Sequence, residues 1–413
     1  MDNHDPERQR PEPRSSIAFA SRNYDQHGGV GNVMSQLAER ASRDFNVTIA
    51  ASQIENPPRN AATLHIPSLS RPAFLRLPTF ATTAAALMPR FDFDLVHAHD
   101  SHMLGADIYT VHSSFKGYIE HRRKTGSIAF SVASHVYLPH VTLLALNRLA
   151  YSRPNSRIVA VSDSVRSELL HAYDLDPTRV SVVYNGVDIE RFGELDRAHE
   201  RRSLEALLRR NLKGKIVACF VGHEFGRKRL STTIRAIARA RARNDIELIV
   251  VGDGDSTRYR AEARSHGLHD QVHFLGRRAD VPELMYASDV FTFPTEYEAA
   301  SLALLEAAAS GLAIATTDVA MAHELFTDGT NALLLENTAA PEPLSSALDQ
   351  LASGALRLRL GAEARRLAEN YSWNSVWLRY REIYDDVLTD RAARRSHDSG
   401  PRTRTTPRKK DPR

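Results

Sequence analysis

Short apolar runs recur along this chain with helix-spaced stretches between them, and that alternation sets the fold class. Ser16-Ile17-Ala18-Phe19-Ala20 reads as a first strand and Phe45 to Ala51 as a second, with further strands at Asp94–Ala98, Asp107–Val111, Arg157–Val161 and Val180–Tyr184. Between the first two, Val30, Val33, Met34, Leu37, Ala38 and Ala41 fall at helical spacing and share one apolar face. Ser162 to His171 is a second helix, whose start offers Ser or Asp caps. A polar, helical connector from Glu190 to Arg210 then interrupts the pattern. It resumes at Lys215 with strands at Ile216–Val221, Ile246–Val251, Val272–Leu275, Val290–Phe293, Leu312–Thr316 and Ala332–Leu334, and with helices at Leu230–Ala242 and Ser301–Ser310. Alternating strands and helices predict parallel sheets covered on both faces. The expected architecture is α/β, two doubly wound Rossmann-like units. Ligands of such sheets sit beyond the carboxyl ends of the strands, so two facing units make a deep cleft.

Composition narrows this picture only slightly. The chain's 413 residues suit two large domains or three smaller ones, and 42% hydrophobic with 25% charged residues is ordinary for a globular protein. The one cysteine, Cys219, excludes an internal disulfide framework and lies in an apolar run, so it is expected to be buried packing. No leader-like start and no apolar run of about 18 residues or more is present, so a cytoplasmic location is expected. The net charge of +4 conceals an asymmetry: Arg391 to Arg413 holds nine Lys or Arg and two Asp, leaving −3 for residues 1–390. This stretch reads as a disordered, solubilising tail. The competing reading is attraction to an anionic surface, with peripheral contact at the inner face of a membrane; no nucleic-acid partner is expected.

The chemistry concentrates in Pro294-Thr295-Glu296-Tyr297-Glu298-Ala299-Ala300-Ser301-Leu302-Ala303-Leu304-Leu305-Glu306, where a strand feeds a helix through a short loop. The start of that helix presents unpaired N–H groups and a positive dipole end, which suits a diphosphate. Glu298 in the loop and Glu306 about two turns into the helix place two acceptors beside the anion site. A ligand with both phosphates and hydroxyls fits, and a nucleotide-sugar is one. The segment Asp280–Leu335 resembles the donor half of retaining glycosyltransferases of family 4 (glycosyl transferases group 1), of the GT-B class, whose pattern is proline, Glu, seven residues, Glu-Ala and a Gly turn. The resemblance extends over roughly residues 15–390.

The resemblance implies a role for several residues. Glu298 contacts the donor sugar or its phosphate, and Glu306 binds the ribose hydroxyls. Ser301 and Leu302, at the helix start, face the diphosphate. In Val221-Gly222-His223-Glu224-Phe225-Gly226-Arg227-Lys228-Arg229, Lys228 matches the family's phosphate-binding lysine; His223 stands where many members have arginine and Arg229 where they have glycine, and Arg227 is expected to supply the missing charge. Gly28 and Gly29, in a turn whose spacing is not the dinucleotide fingerprint, approach the diphosphate and acceptor. His112 lies beside the reacting carbon, and Arg277 belongs to the loop near the base. His97 and His99 share a strand face, with His99 or Asp100 as weaker candidates for the cleft wall.

No metal and no cofactor are expected. Asp92-Phe93-Asp94 and Asp253-Gly254-Asp255 read as turn chemistry rather than as a metal motif. The resemblance therefore implies transfer of a hexose-type sugar from a UDP- or GDP-linked donor to an acceptor hydroxyl with retention. The acceptor stays open among a glycan, a lipid-linked glycan and a small metabolite, and Phe115–Arg153, with its His121-Arg122-Arg123-Lys124 run, is assigned to acceptor recognition ahead of membrane contact. A nucleotide-sugar isomerase or hydrolase and a non-catalytic donor-binding subunit are the alternatives. The implied organisation is a disordered N-terminus at 1–14, an acceptor-binding domain at 15–188, a connector at 189–212, a donor-binding domain at 213–372, a Trp373- and Trp377-bearing helix at 373–390 that crosses back to the first domain, and the tail at 391–413.

Overall fold

A computed structural model describes residues 14–25, 28–125, 138–193 and 195–398. Two parallel sheets stand in it, as the alternation predicts. The first runs in the order Ala62–His65, Asn46–Ala51, Ser16–Ala20, Leu95–His99, Ile108–Val111, Arg157–Ala160 and Val180–Val182. The second runs Val272–Gly276, Ile246–Val251, Ile216–Val221, Val290–Phe293, Ala313–Thr317 and Leu333–Leu335. The edge strand Ala62–His65 escapes a hydrophobicity reading because only Leu64 in it is a large apolar residue, and none of its four side chains is buried.

The central strands bury both faces, which is why they are continuous apolar runs. In the second lobe, Val217, Cys219, Ile249 and Phe291 fill one core and Ala218, Phe220, Leu248 and Val250 the other. Cys219 is free and fully buried, and burial pushes its thiol up to about 12. In the first lobe, Ala18, Ala20, Ala98 and Tyr109 face one core, while Ile17, Phe19, Ile49 and Leu95 face the other. The helix Gly29–Ala41 buries Val33, Met34, Leu37, Ala38 and Ala41 on that second side.

The helix Trp373–Asp398 completes the first lobe's core with Trp373, Val376, Trp377, Tyr380, Tyr384 and Val387. Its tyrosines reach beneath the sheet: the Tyr384 hydroxyl lies 2.7 Å from His97 Nδ1, Thr110 Oγ1 lies 2.8 Å from His97 Nε2, and Tyr380 bonds Thr110 at 3.0 Å. The helix also corrects one boundary. It does not stop at 390 but runs to Asp398, and the basic stretch does not begin as a tail: Arg391 donates to the Asp94 carbonyl at 3.0 Å and to Asp107 at 2.9 Å. Two carboxylates facing its last turns, Asp94 and Asp107, favour arginines there. Residues 1–13 and 399–413 lie outside the described residues, as do residues 126–137 and the His121–Lys124 side chains.

Two chain crossings join the lobes, and they pair with each other. Val187 N–H donates to the Tyr371 carbonyl at 2.8 Å and Trp373 N–H to the Val187 carbonyl at 3.2 Å. Gly186 is required here, because a Cβ would fall 2.6 Å from the Trp373 ring. On the flank, Glu324 of the second lobe caps a helix of the first: it accepts from Asp163 N–H at 2.9 Å and Ser164 N–H at 2.7 Å, at the N-terminus of Asp163–Tyr173. A carboxylate at a helix N-terminus is stabilising on both hydrogen-bond and dipole grounds.

Substituting Tyr384→Phe strands His97 Nδ1 in the core. The expected cost is about 1–3 kcal/mol, read as an earlier unfolding transition in thermal or urea titration. A transition unmoved from that of the native chain would show that the crossing helix is not fastened through His97.

Candidate active site

The two sheets turn their carboxyl ends toward one cleft of about 830 Å³. The ten residues given a role in the sequence line it: Gly28, Gly29 and His112 from the first lobe, and Arg227, Lys228, Arg277, Glu298, Ser301, Leu302 and Glu306 from the second; of the two weaker candidates Asp100 lines it and His99 lies behind His112. Sequence reasoning missed Asn185 at the end of the first domain, Arg191 from the connector and Tyr297, while Phe115 and Tyr118 belong to the Phe115–Arg153 stretch assigned to acceptor recognition.

The strand Val290–Phe293 delivers the Glu298 loop, and the helix Leu302–Ala309 follows it. Ser301 caps that helix, its Oγ accepting from Leu304 N–H at 3.3 Å. The cap leaves the Leu302 and Ala303 amides of the first turn without intrahelical acceptors, at the cleft wall. Glu298 Oε2 receives Lys228 Nζ at 3.2 Å and Arg227 Nη1 at 3.3 Å. Lys228 also lies over the Phe293 ring at 4.4 Å and runs beneath Gly222, where a Cβ would meet its Cδ at 2.4 Å. Only glycine at 222, at φ +154°, leaves the lysine this channel. Arg227 is tied more heavily than expected for a phosphate ligand: Glu224 at 2.7 Å, Glu298 and the Tyr297 carbonyl all hold it. Its structural effect is to fix the Glu298 loop.

Glu306 sits in the same wall, partly buried. Burial raises its carboxyl from the ordinary 4.5 to about 7, opposed by the positive charges of Arg191 and Lys228. Arg191 comes from the connector and was invisible as a site residue, since a charged position in a polar helical stretch carries no signal of its own. Arg277 lines the cleft, whereas neighbouring Arg278 turns to Asp280 at 2.6 Å.

The opposite wall is neutral imidazole rather than cation. His97 and His99 stack at 4.6 Å and His99 on His112 at 5.2 Å. His99 Nδ1 meets His112 Nε2 at 2.9 Å, and His112 N–H donates to Asp100 Oδ1 at 2.9 Å. Burial pushes His112 down to about 3 and holds His99 well below the usual range. In the glycine turn, the residue that packing demands is Gly31, whose Cβ would lie 1.7 Å from the Asp25 carbonyl. Gly29 has nothing within 4 Å of a Cβ, so it is open to the cleft rather than required by the fold. Among the described residues no cluster of three or more His, Cys, Asp or Glu is placed to hold a metal, and no helix is long and apolar enough to cross a membrane.

At the lobe junction Tyr297 donates to Glu168 Oε2 at 3.2 Å and packs edge-on against Tyr118 at 5.5 Å. Burial raises Glu168 to about 7. The first lobe therefore grips the loop that carries Glu298.

The family model for glycosyl transferases group 1 matches residues 208–367, and that for glycosyltransferase family 4 matches residues 27–191. Similar curated proteins include a D-inositol 3-phosphate glycosyltransferase of Salinispora arenicola, 34% identical over 250 residues, which are 56% of this chain and 55% of that protein. The lipopolysaccharide glucosyltransferase WaaG of Escherichia coli is 33% identical over 159 residues, 38% of this chain and 42% of its own. The chain thus spans about half the length of the curated relatives it matches. Among solved structures, WaaG superposes with a TM-score of 0.78 at 22% identity, over 89% of this chain and 99% of its own. HepE of Anabaena in complex with UDP-glucose gives a TM-score of 0.70 at 18% identity, over 90% and 99%. These likenesses give the fold.

Because Glu306 binds its proton more tightly when folded, its contribution to stability falls as pH rises from about 4.5 to about 7 and stays low above that. Glu306→Gln removes the fall. Unfolding of the ligand-free protein at pH 5 and pH 8 should show the variant gaining on the native chain at the higher pH. An equal gap at both pH values would place Glu306 in open solvent instead.

Proposed function

We propose, for a chain that belongs to the family 4 glycosyltransferases (glycosyl transferases group 1), that it moves a hexose-type sugar from a nucleoside diphosphate to an acceptor hydroxyl, retains the anomeric configuration and needs no metal. The observation that carries the proposal is the junction of Lys228, Glu298 and the Ser301-capped helix start at one cleft wall. Lys228 and the Leu302 and Ala303 amides stabilise the diphosphate as charge develops on it. Glu306 accepts hydroxyls of the ribose, its ionisation favoured by Arg191. Glu298 orients the sugar. HepE, which shares this fold, is known in complex with UDP-glucose, which supports a donor of this class, UDP- or GDP-linked. Such an enzyme acts in glycan or glycoconjugate biosynthesis, in the cytoplasm or at the inner face of a membrane. Its acceptor is a glycan, a lipid-linked glycan or a small metabolite.

The first-lobe groups favour a particular route for the acceptor's proton. His112 is neutral, held down at about 3, and shares its Nε2 with His99; Asp100 is engaged by the His112 amide. A group with so low a pKa is a poor general base near neutrality. The bond between the anomeric carbon and the phosphate oxygen therefore breaks as the acceptor oxygen bonds the same face, and the acceptor's proton passes to the departing phosphate oxygen. His112 shapes the pocket around that carbon without exchanging the proton. Gly29, open on the cleft, gives the acceptor a close approach to main chain.

The isomerase or hydrolase alternative would consume donor without an acceptor, and a binding subunit would hold donor without turnover. Lys228→Ala and Glu298→Ala should each lower turnover of a nucleotide-sugar by about 10²–10³ with native circular dichroism, and EDTA should leave the native enzyme's rate unchanged. Near-native rates in either folded variant would refute the assigned roles, and EDTA-abolished activity restored by Mn²⁺ would refute metal independence.

A further inference from the structure

Two neighbouring strands of the second lobe end in step. Val221 pairs with Val251 in the parallel register, and each is followed by a glycine and then a polar residue: Gly222-His223 and Gly252-Asp253. Both glycines have positive φ, and a Cβ at Gly252 would lie 1.9 Å from the Gly222 carbonyl, so the two backbones are pressed together at this point. The shared register then sets His223 Nδ1 against Asp253 Oδ1 in a hydrogen bond. His223 lines the cleft beside Lys228.

Stability does not account for this pair. The side chains are 56% and 52% exposed, and ion pairs so open to water contribute little. Charge balance gives a better account. Lys228 and Arg227 are matched by Glu298 and Glu224, so this corner is close to neutral. A diphosphate docking there calls for further positive charge, and His223 stands at the lip with one ring nitrogen already fixed.

We propose that His223, oriented by Asp253, is a protonatable ligand of the donor's diphosphate. Asp253 engages Nδ1; Nε2 turns to the phosphate. Asp253 is the positioning residue, and its carboxyl is held below its usual range chiefly by the His223 hydrogen bond. The charged groups around the pair are Glu224, Arg227 and Lys228 on its own loop, Glu298 on the facing loop and Arg277 beyond Asp253. Histidine is the side chain that changes charge within about pH 5–8, so pH is the variable that tests this contact. The proposal rests on the donor reading given above.

The test is calorimetric binding of UDP-glucose and GDP-mannose, whose diphosphates keep a constant charge between pH 5.5 and 8.5. For whichever donor binds, affinity at pH 5.5 should drop about tenfold in His223→Ala, the size of one charge-assisted contact. His223→Arg should lose the part of the decline with pH that the native protein shows and the alanine variant lacks; Glu306, which titrates in the same window, is common to all three. Asp253→Asn, which weakens the hold on Nδ1, should bind at pH 5.5 with an affinity between those of the native protein and His223→Ala. If His223→Ala binds like the native protein at pH 5.5, or His223→Arg keeps the native decline, the proposal is overturned while the donor reading stands. If the native protein binds neither donor at either pH, both fall together.

Discussion

Everything in the cleft depends on two main-chain hydrogen bonds that tie the lobe crossings at Val187, Tyr371 and Trp373. A single crossing would leave the sheets to rotate about one segment. Two crossings bonded to each other, with Gly186 pressed under the Trp373 ring, restrict the lobes to hinge motion about one line. The carboxyl ends of the two sheets then face each other, which is where open α/β sheets bind ligands. The Glu324 cap and the Tyr297–Glu168 bond add contacts on the flank and at the mouth. Both are carboxylate hydrogen bonds at least partly open to water, so they are weak compared with the buried core and suit a junction that must open.

The walls of the cleft divide the electrostatic work. Positive charge comes from the second lobe and the connector, through Lys228, Arg227, Arg277 and Arg191, and most of it meets a carboxylate. The first lobe contributes His112, stacked on two further buried imidazoles and neutral. That asymmetry suits a ligand with an anionic half and a hydroxyl-rich half, the anionic half lying against the second lobe. It also explains why the Tyr384 and Tyr380 hydroxyls are where they are. Buried imidazole nitrogens need partners, and for His97 the crossing helix supplies one directly, Tyr384, and through Tyr380 holds the other, Thr110.

The sequence made the central strands legible because a strand buried on both faces leaves an unbroken apolar run, as Ile216–Val221 and Ile246–Val251 do. The cleft residues were legible for a different reason: Glu298 and Glu306 flank a helix start, and that geometry follows from spacing alone. What stayed hidden depends on long-range contact. Ala62–His65 is a strand only because Asn46–Ala51 offers it an edge to pair with. Arg391 is helical and docked because Asp107, 284 residues away in sequence, receives it. Asp253 reads in sequence as turn chemistry, but Asp255 makes the turn bond, to Thr257 N–H, and Asp253 meets His223, a partner visible only when two strands end in register. Gly31 was passed over for Gly28 and Gly29, since no sequence pattern distinguishes a glycine demanded by packing from one that leaves room for substrate.

Some departures from local rules lie at the cleft and its approaches. Asp100, a non-glycine residue at φ +55°, lines it, and Arg229, also at φ +55°, begins the helix after the Lys228 loop. His99 Nε2 is buried without a partner among the described residues, and Glu306 is a carboxyl held near neutrality by burial. Each is unfavourable for the isolated fold, by about 1–3 kcal/mol for a strained backbone or an unmet buried polar group. A folded chain tolerates such terms where surrounding structure over-determines them, and here the twin crossings and two-sided sheets do so. In the strand interiors away from the cleft the same chain obeys its local preferences closely. Other departures lie away from it, at Asn56, Asp92, Asp174 and Arg209, each with positive φ, so it is the coincidence of strain with a carboxyl held near neutrality that marks the crevice.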